Sequence, residues 1–311
     1  MEKAVNKTIV YKESQDGRSS VAIYKYLPDS QPRGVVQIVH GMAEYMDRYD
    51  DFARFLTDSG LAVYANDHLG HGRTAEHAQL GFMAEEQGWR YMLGDVRRTA
   101  ELAAAETGGL PHVLLGHSMG SLIARIYLAK HGQELAGCLL LGLVEKPKHM
   151  AISEIILNAQ IRRHDPEGIS EFLQKTAFGR HNRRIPNAAS PNAWICSDEE
   201  VVAAYDQDPL CGFTFSTSGF RDLLSMSKIV FAKNYYAKIP KNVPIMIAVG
   251  SDDPVAGYGK GSRAEAAKMK TAGAQVIYKE YSGMRHEILN ERGKATVYAD
   301  LLSFVNSCIN Q

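Results

Sequence analysis

Apolar residues along this chain gather in short runs that alternate with longer stretches in which they recur every three to four positions. The runs are VVQIV (35–39), LAVYA (61–65), HVLLG (112–116), CLLLG (138–142), PIMIAVG (244–250) and QVIYKEY (275–281). Several are almost continuous in Val, Ile and Leu. That pattern marks strands covered on both faces, as in a parallel sheet flanked by helices. Helical periodicity fills the intervals at 48–59, 87–107, 119–131, 260–272 and 292–309. Strand and helix in alternation predict a doubly wound, mostly parallel α/β sheet with right-handed crossovers. Upstream, TIVYK and SVAIYKY flank the turn-forming ESQDGRS and predict an antiparallel hairpin at the sheet edge.

The alternation fails between residues 144 and 236. That stretch has helical patterning, for example Phe220, Leu223, Leu224, Val230 and Phe231, and loop chemistry such as RRIPNAASPN, but no convincing strand. It is too long for a loop inside a compact domain. The expected organisation is a core built from 1–143 and 237–311, with 144–236 inserted as a helical cap over one end of the sheet.

Composition narrows the function classes. Lys plus Arg and Asp plus Glu both number 35, so no net field recruits nucleic acid or an anionic membrane. The four cysteines (Cys138, Cys196, Cys211, Cys308) form no CxxC pair, and a chain of 311 residues needs no disulfide framework. A reducing compartment fits. The first residues hold no apolar run of signal-peptide length, and no stretch is long and apolar enough to span a bilayer. A cytoplasmic protein, with at most peripheral membrane contact, is expected.

The sharpest chemical signal is GHSMG at 116–120, directly after one strand and directly before SLIARIYLAKH, a good helix. A tight strand-to-helix turn lifts the central serine above the carboxyl ends of the strands, where open α/β sheets place their ligand sites. Small residues at 116 and 120 let the backbone double back. Ser118 is therefore the candidate nucleophile. A helix-capping serine in a chance GxSxG would lack that strand.

A serine hydroxyl needs a base, usually histidine. Of 11 histidines, His286 in YSGMRHEIL follows the last strand, at the same rim as Ser118. The acid that orients it should follow PIMIAVG, and GSDDP offers Asp252 and Asp253. Successive side chains in an extended segment point opposite ways, so one of the two faces His286, and Asp253 is favoured. The backbone N–H groups of Met119, after the nucleophile, and Met42, in the loop after 35–39, are the candidate oxyanion donors.

HGMAEYMDRY, DHLGHGRT, GHSMGS, GSDDP and YSGMRHEILNE occur here in that order. Together they resemble the monoacylglycerol lipase and lysophospholipase branch of the α/β-hydrolases, the serine aminopeptidase S33 type. The resemblance spans nearly the whole chain and is weaker through 144–236. It implies an α/β-hydrolase fold and cleavage of carboxylic esters, such as monoacylglycerols, lysophospholipids or simple acyl esters. It implies no cofactor or metal, the triad Ser118, Asp253 and His286, and oxyanion donors at Met42 and Met119. Asp67, His68 and His71 would shape loops around the site. Charged LGLVEKPKHM departs from the family's usual turn, which leaves substrate preference open. A thioesterase or peptidase on the same triad, and a binding protein with little turnover, are the competing readings. The partner is then a small-molecule or lipid ester, not nucleic acid, and the sequence does not set an oligomeric state.

Candidate acyl-pocket residues in the cap are Ile155, Ile156, Phe172, Phe178, Leu210, Phe213 and Phe215. Most are expected to pack the cap itself. Trp89 and Trp194 read as packing, and RRH (162–164) and RHNRR (180–184) as solvated faces. His68, His71 and His77 lack paired carboxylates at ligand spacing, which argues against a metal site.

Overall fold

The computed structural model describes residues 6–310. Eight strands form one sheet: β1 (Asn6–Glu13), β2 (Ser20–Leu27), β3 (Val35–Val39), β4 (Ala62–Asn66), β5 (His112–His117), β6 (Gly137–Leu141), β7 (Ile245–Gly250) and β8 (Val276–Tyr281). Their order is β1-β2-β4-β3-β5-β6-β7-β8. β1 and β2 are antiparallel to each other, β2 is antiparallel to β4, and β3 to β8 run parallel. The hairpin occupies the edge, as its alternating polar pattern requires.

The nearly continuous apolar runs are explained by burial on both faces: every residue of β3, β4, β6 and β7 is buried. One face is covered by α2 (Gly88–Thr107), α3 (Met119–His131) and α8 (Lys260–Thr271), through residues such as Met92, Val96, Leu122, Ile126 and Met269. The other is covered by α1 (Asp50–Asp58) and α9 (Lys294–Ile309), through Phe52, Leu56, Val297, Leu301 and Phe304. Most element boundaries fall within two residues of the periodicity reading.

Between β6 and β7 lie α4 (Met150–His164), α5 (Glu171–Phe178), α6 (Glu199–Gln207) and α7 (Thr217–Val230). β6 and β7 nonetheless pair directly, with Cys138 opposite Ile245 and Leu141 opposite Ala248. The inserted segment is not uniform. α7 packs against both α2 and α3 as well as α4. Its Phe220, Met226 and Val230 belong to the same apolar cluster as the sheet face, so the last helix of the 144–236 stretch is built into the core layer. Arg125 of α3 is fully buried, donates to the Val230 carbonyl, pairs with Glu265 and lies against the rings of Phe231 and Tyr235. The exit of the insertion is thereby fastened to α3, the helix that follows Ser118.

A second fastening is sensitive to pH. Gln87, the residue before α2, makes no side-chain cap. Asp222 of α7 turns its buried carboxyl toward that helix end instead. Burial dominates over the pull of the Trp89 and Gly88 N–H groups and raises its pKa to about 7. A carboxyl raised on folding stabilises the native state at low pH, and that contribution is lost as pH climbs through the folded pKa. The stability of the wild type minus that of Asp222→Asn, from urea unfolding, should fall as pH rises from about 4 to about 7. A difference constant across that window would show that this carboxyl does not titrate as described.

Candidate active site

Ser118 sits between β5 and α3 with φ +53° and ψ −119°, a conformation an L-residue rarely adopts. The turn is held by the Ser118 N–H donating to the Leu141 carbonyl (3.0 Å) and the Ser121 N–H donating to the Ser118 carbonyl (2.8 Å). A Cβ on Gly120 would collide with the carbonyl oxygen of Val39, and one on Gly116 with the carbonyl of Gly120. Small residues at both positions are thus a packing requirement. Strain of this kind persists only where the surroundings over-determine it, typically at functional sites.

His286 and Asp253 meet beneath the same rim. His286 Nδ1 lies 2.9 Å from Asp253 Oδ2, and both side chains are buried. The other carboxylate oxygen of Asp253 accepts from the Val255 N–H at 2.8 Å. Asp252 faces the opposite way, with its carboxylate on the Ser251 hydroxyl at 3.1 Å. The two neighbours are separated as alternation requires.

The loop after β3 is tied at several atoms. His40 Nε2 accepts from the His68 N–H (3.0 Å), so its proton is on Nδ1, which donates to the Gly41 carbonyl at 2.8 Å. In a trans peptide the C=O and the next N–H point in opposite directions. Anchoring Gly41 O on His40 therefore aims the Met42 N–H away from it. Met42, Met119, Ser118 and His286 all line one cavity of about 650 Å³.

In the wall of that cavity lies a carboxylate the motif reading gave no role. Glu44 Oε1 accepts from the Gly41 N–H (2.6 Å) and the Tyr49 hydroxyl (2.8 Å), and lies 2.9 Å from His117 Nδ1. His117 Nε2 in turn lies 3.4 Å from the His286 carbonyl oxygen. Burial alone would neutralise both groups. The His117 imidazolium outweighs it and holds the Glu44 carboxyl well below its ordinary pKa, while Glu44 raises that of His117. Arg48 reinforces the network with a two-pronged bond to Glu287 (2.7 and 2.6 Å) and a 3.8 Å approach to Glu44.

His68 and His71 pack against His40 with tilted rings, their centroids 4.2 and 5.2 Å from it, and are fully buried. Burial drives the pKa of His71 down to about 3, so it stays neutral. Asp67 accepts from the Met46 and Arg73 N–H groups and the Tyr24 hydroxyl at 2.8–2.9 Å, which fastens the loop after β4 to the loop after β3.

Inserted residues brace the site from above. Arg285 Nη1 donates to the Ala193 and Cys196 carbonyls (2.7 and 2.8 Å), and the Glu287 N–H donates to Ile195 O (2.7 Å). The loop carrying His286 is so held on both sides.

Of the candidate pocket residues, Ile156, Phe178 and Phe213 line the cavity. Ile155 and Phe172 are 70% and 54% exposed and point to solvent, Leu210 is off the wall, and Phe215 is buried behind it against His71. Trp194 is more than packing: it lines the cavity with its ring centroid 5.2 Å from that of His286. His181 departs from the solvated reading of RHNRR. It lines the cavity beside Trp194, at 4.7 Å, and burial lowers its pKa to about 4. Arg183 and Arg184 are exposed and stack over Tyr258. The apolar stripe Leu223 and Leu224 supplies further wall, and its helical spacing was the available signal.

Residues 30–293 match the family model of serine aminopeptidase, S33. The chain belongs to that α/β-hydrolase family. It is 30% identical to a monoacylglycerol lipase of Mycolicibacterium smegmatis over 91% of each chain, and 25% identical to the human monoglyceride lipase over 73% of this chain and 67% of that one. A thermostable carboxyl esterase from Bacillus coagulans, solved in complex with glycerol, superposes with a TM-score of 0.92 at 31% identity, covering 97% of this chain and 99% of that one. This member of the family is a carboxylic ester hydrolase of the monoacylglycerol lipase and esterase type. No helix among its described residues is long and apolar enough to cross a membrane.

Glu44→Gln should cost about 3–5 kcal/mol of stability near pH 6, because it strips a buried charge of its partner. His117, raised on folding, stabilises the fold below its ordinary pKa and loses that contribution as pH rises through its folded value. The gap between wild type and Glu44→Gln, measured by urea unfolding, should therefore narrow toward alkaline pH. A gap that widens there would refute the ion pair.

Proposed function

We propose that this hydrolase cleaves monoacylglycerols and related single-chain esters through a Ser118–His286–Asp253 triad. The buried 2.9 Å contact between His286 and Asp253, on the same cavity as a serine held in a strained turn, carries the reading. Ser118 Oγ attacks the ester carbonyl as His286 Nε2 takes its proton. The Asp253 carboxylate holds the Nδ1 proton and stabilises the imidazolium. The Met42 and Met119 N–H groups receive the developing oxyanion. His286 protonates the departing alcohol, then takes a proton from water as that water attacks the acyl-enzyme, and returns it to Ser118 Oγ as the acid leaves.

The cavity supports a lipid substrate. Ile156, Leu157, Leu173, Leu223 and Leu224 form an apolar wall, and Glu44, His117 and Glu287 a polar one. That division suits an acyl chain joined to a small hydroxylated alcohol. The glycerol bound by the Bacillus coagulans relative and the activity named for the Mycolicibacterium smegmatis relative support the same class. The inserted segment 144–236 acts as the cap that provides most of the apolar wall.

A fluorophosphonate probe should label the wild type and leave Ser118→Ala unlabelled. Absence of wild-type labelling at neutral pH would sink the nucleophile assignment. Asp253→Asn should lower kcat by about 10⁴-fold, as loss of the orienting acid does elsewhere, and Asp252→Asn should change it by less than about threefold. Substrate class is tested with p-nitrophenyl acetate to palmitate beside monoacylglycerol and lysophosphatidylcholine. Higher kcat/KM on lysophosphatidylcholine would replace the monoacylglycerol assignment.

A further inference from the structure

Two hydrogen bonds cross from the inserted segment to a single carbonyl oxygen of the loop after β3. The Tyr205 hydroxyl donates to Ala43 O at 2.9 Å, and the Gly212 N–H donates to the same atom at 3.0 Å. Tyr205 and Ala43 are both buried. Ala43 holds φ +53°, the left-handed region that a residue with a Cβ enters only under constraint. The same stretch reaches the loop twice more. Tyr45 donates to Asp208 at 2.7 Å, and the Arg48 guanidinium lies over the Tyr205 ring at 4.6 Å.

The turn Gly41–Ala43 is thus held at three places. Gly41 N is on Glu44, Gly41 O is on His40, and Ala43 O is on the insertion. The first two holds come from the core. The third comes from α6 and the residues after it. With it released, Ala43 can relax out of the left-handed region, and the turn carrying the Met42 N–H is then steadied from its Gly41 side alone, by His40 and Glu44.

We infer that Tyr205 is a positioning residue for catalysis, which sets the aim of the Met42 oxyanion donor by holding the Ala43 carbonyl. The insertion then has two duties: it walls the cavity, and it completes the electrostatic site. This rests on the oxyanion role proposed for Met42. Tyr205 touches the reaction only through the backbone it holds, so its effect belongs in the transition state and is independent of acyl length.

Tyr205→Phe removes the hydroxyl and keeps the ring that stacks on Arg48. On p-nitrophenyl acetate and butyrate its kcat should fall about tenfold with KM within about twofold, less than the 10²–10³ seen when an oxyanion donor is itself removed. A phenylboronic acid, whose adduct with Ser118 places an oxyanion in the same spot, should bind about tenfold more weakly in step. Affinity for a fatty-acid product should be unchanged. If the variant does not fold, Tyr45→Phe, which cuts the neighbouring tie to Asp208, is read by the same three measurements, with a smaller loss in kcat and boronate affinity. Unchanged kcat and boronate affinity, or a loss confined to long-chain esters with raised KM, would overturn the inference and leave Tyr205 as cavity wall. A wild type that neither labels nor hydrolyses would instead remove the triad reading itself.

Discussion

Glu44 lies buried among groups that converge on its charge: a backbone N–H, a tyrosine hydroxyl and an imidazolium, all within 2.9 Å of one oxygen. Moving a carboxylate out of water costs several kcal/mol even after relaxation, so such a group persists only when its lone pairs are filled. Filling them joins three segments that are far apart in the chain. Gly41 belongs to the loop after β3, His117 ends β5 just before Ser118, and His117 touches the backbone of His286. One desolvated anion therefore sets the spacing of the loop after β3, the Ser118 turn and the His286 loop. Salt in the solvent will screen it little.

The sheet supplies what that arrangement needs. Parallel strands end at one rim, and the strained turn at Ser118, the Asp253 loop and the His286 loop all leave from it. A core covered on both faces cannot shift one strand without uncovering apolar surface on two sides. Loops mounted on it start from fixed points, and hydrogen bonds such as those of Asp67 and His40 finish the placement.

Much of this was legible in the residues because each step had a short-range cause. Short, almost continuous Val, Ile and Leu runs bounded by turn residues mark doubly covered strands, and GHSMG between strand and helix has few physical uses. Alternation along an extended segment says that only one of Asp252 and Asp253 faces His286, but not which. The cavity wall was harder. His181, Trp194 and Tyr205 come from an insertion with no repeating frame, so nothing in their spacing says which side chains turn inward. RHNRR reads as a solvated patch by composition, yet one of its five side chains turns into the cavity, and only tertiary packing decides which. Glu44 sat inside a recognisable motif, but its buried pairing with His117 joins residues 73 apart.

The direct pairing of β6 with β7 shows that the sheet closes as if the chain between them had never been inserted. In principle evolution could exchange that whole segment as a module, trading one substrate specificity for another over an unchanged framework. The bonds from Ala193, Ile195, Cys196, Tyr205 and Gly212 back to the loops holding Ala43 and His286 restrict the trade. A transplanted replacement would have to reproduce those few main-chain anchor points, however different its remaining residues, which makes them the grafting constraint for anyone recombining such enzymes.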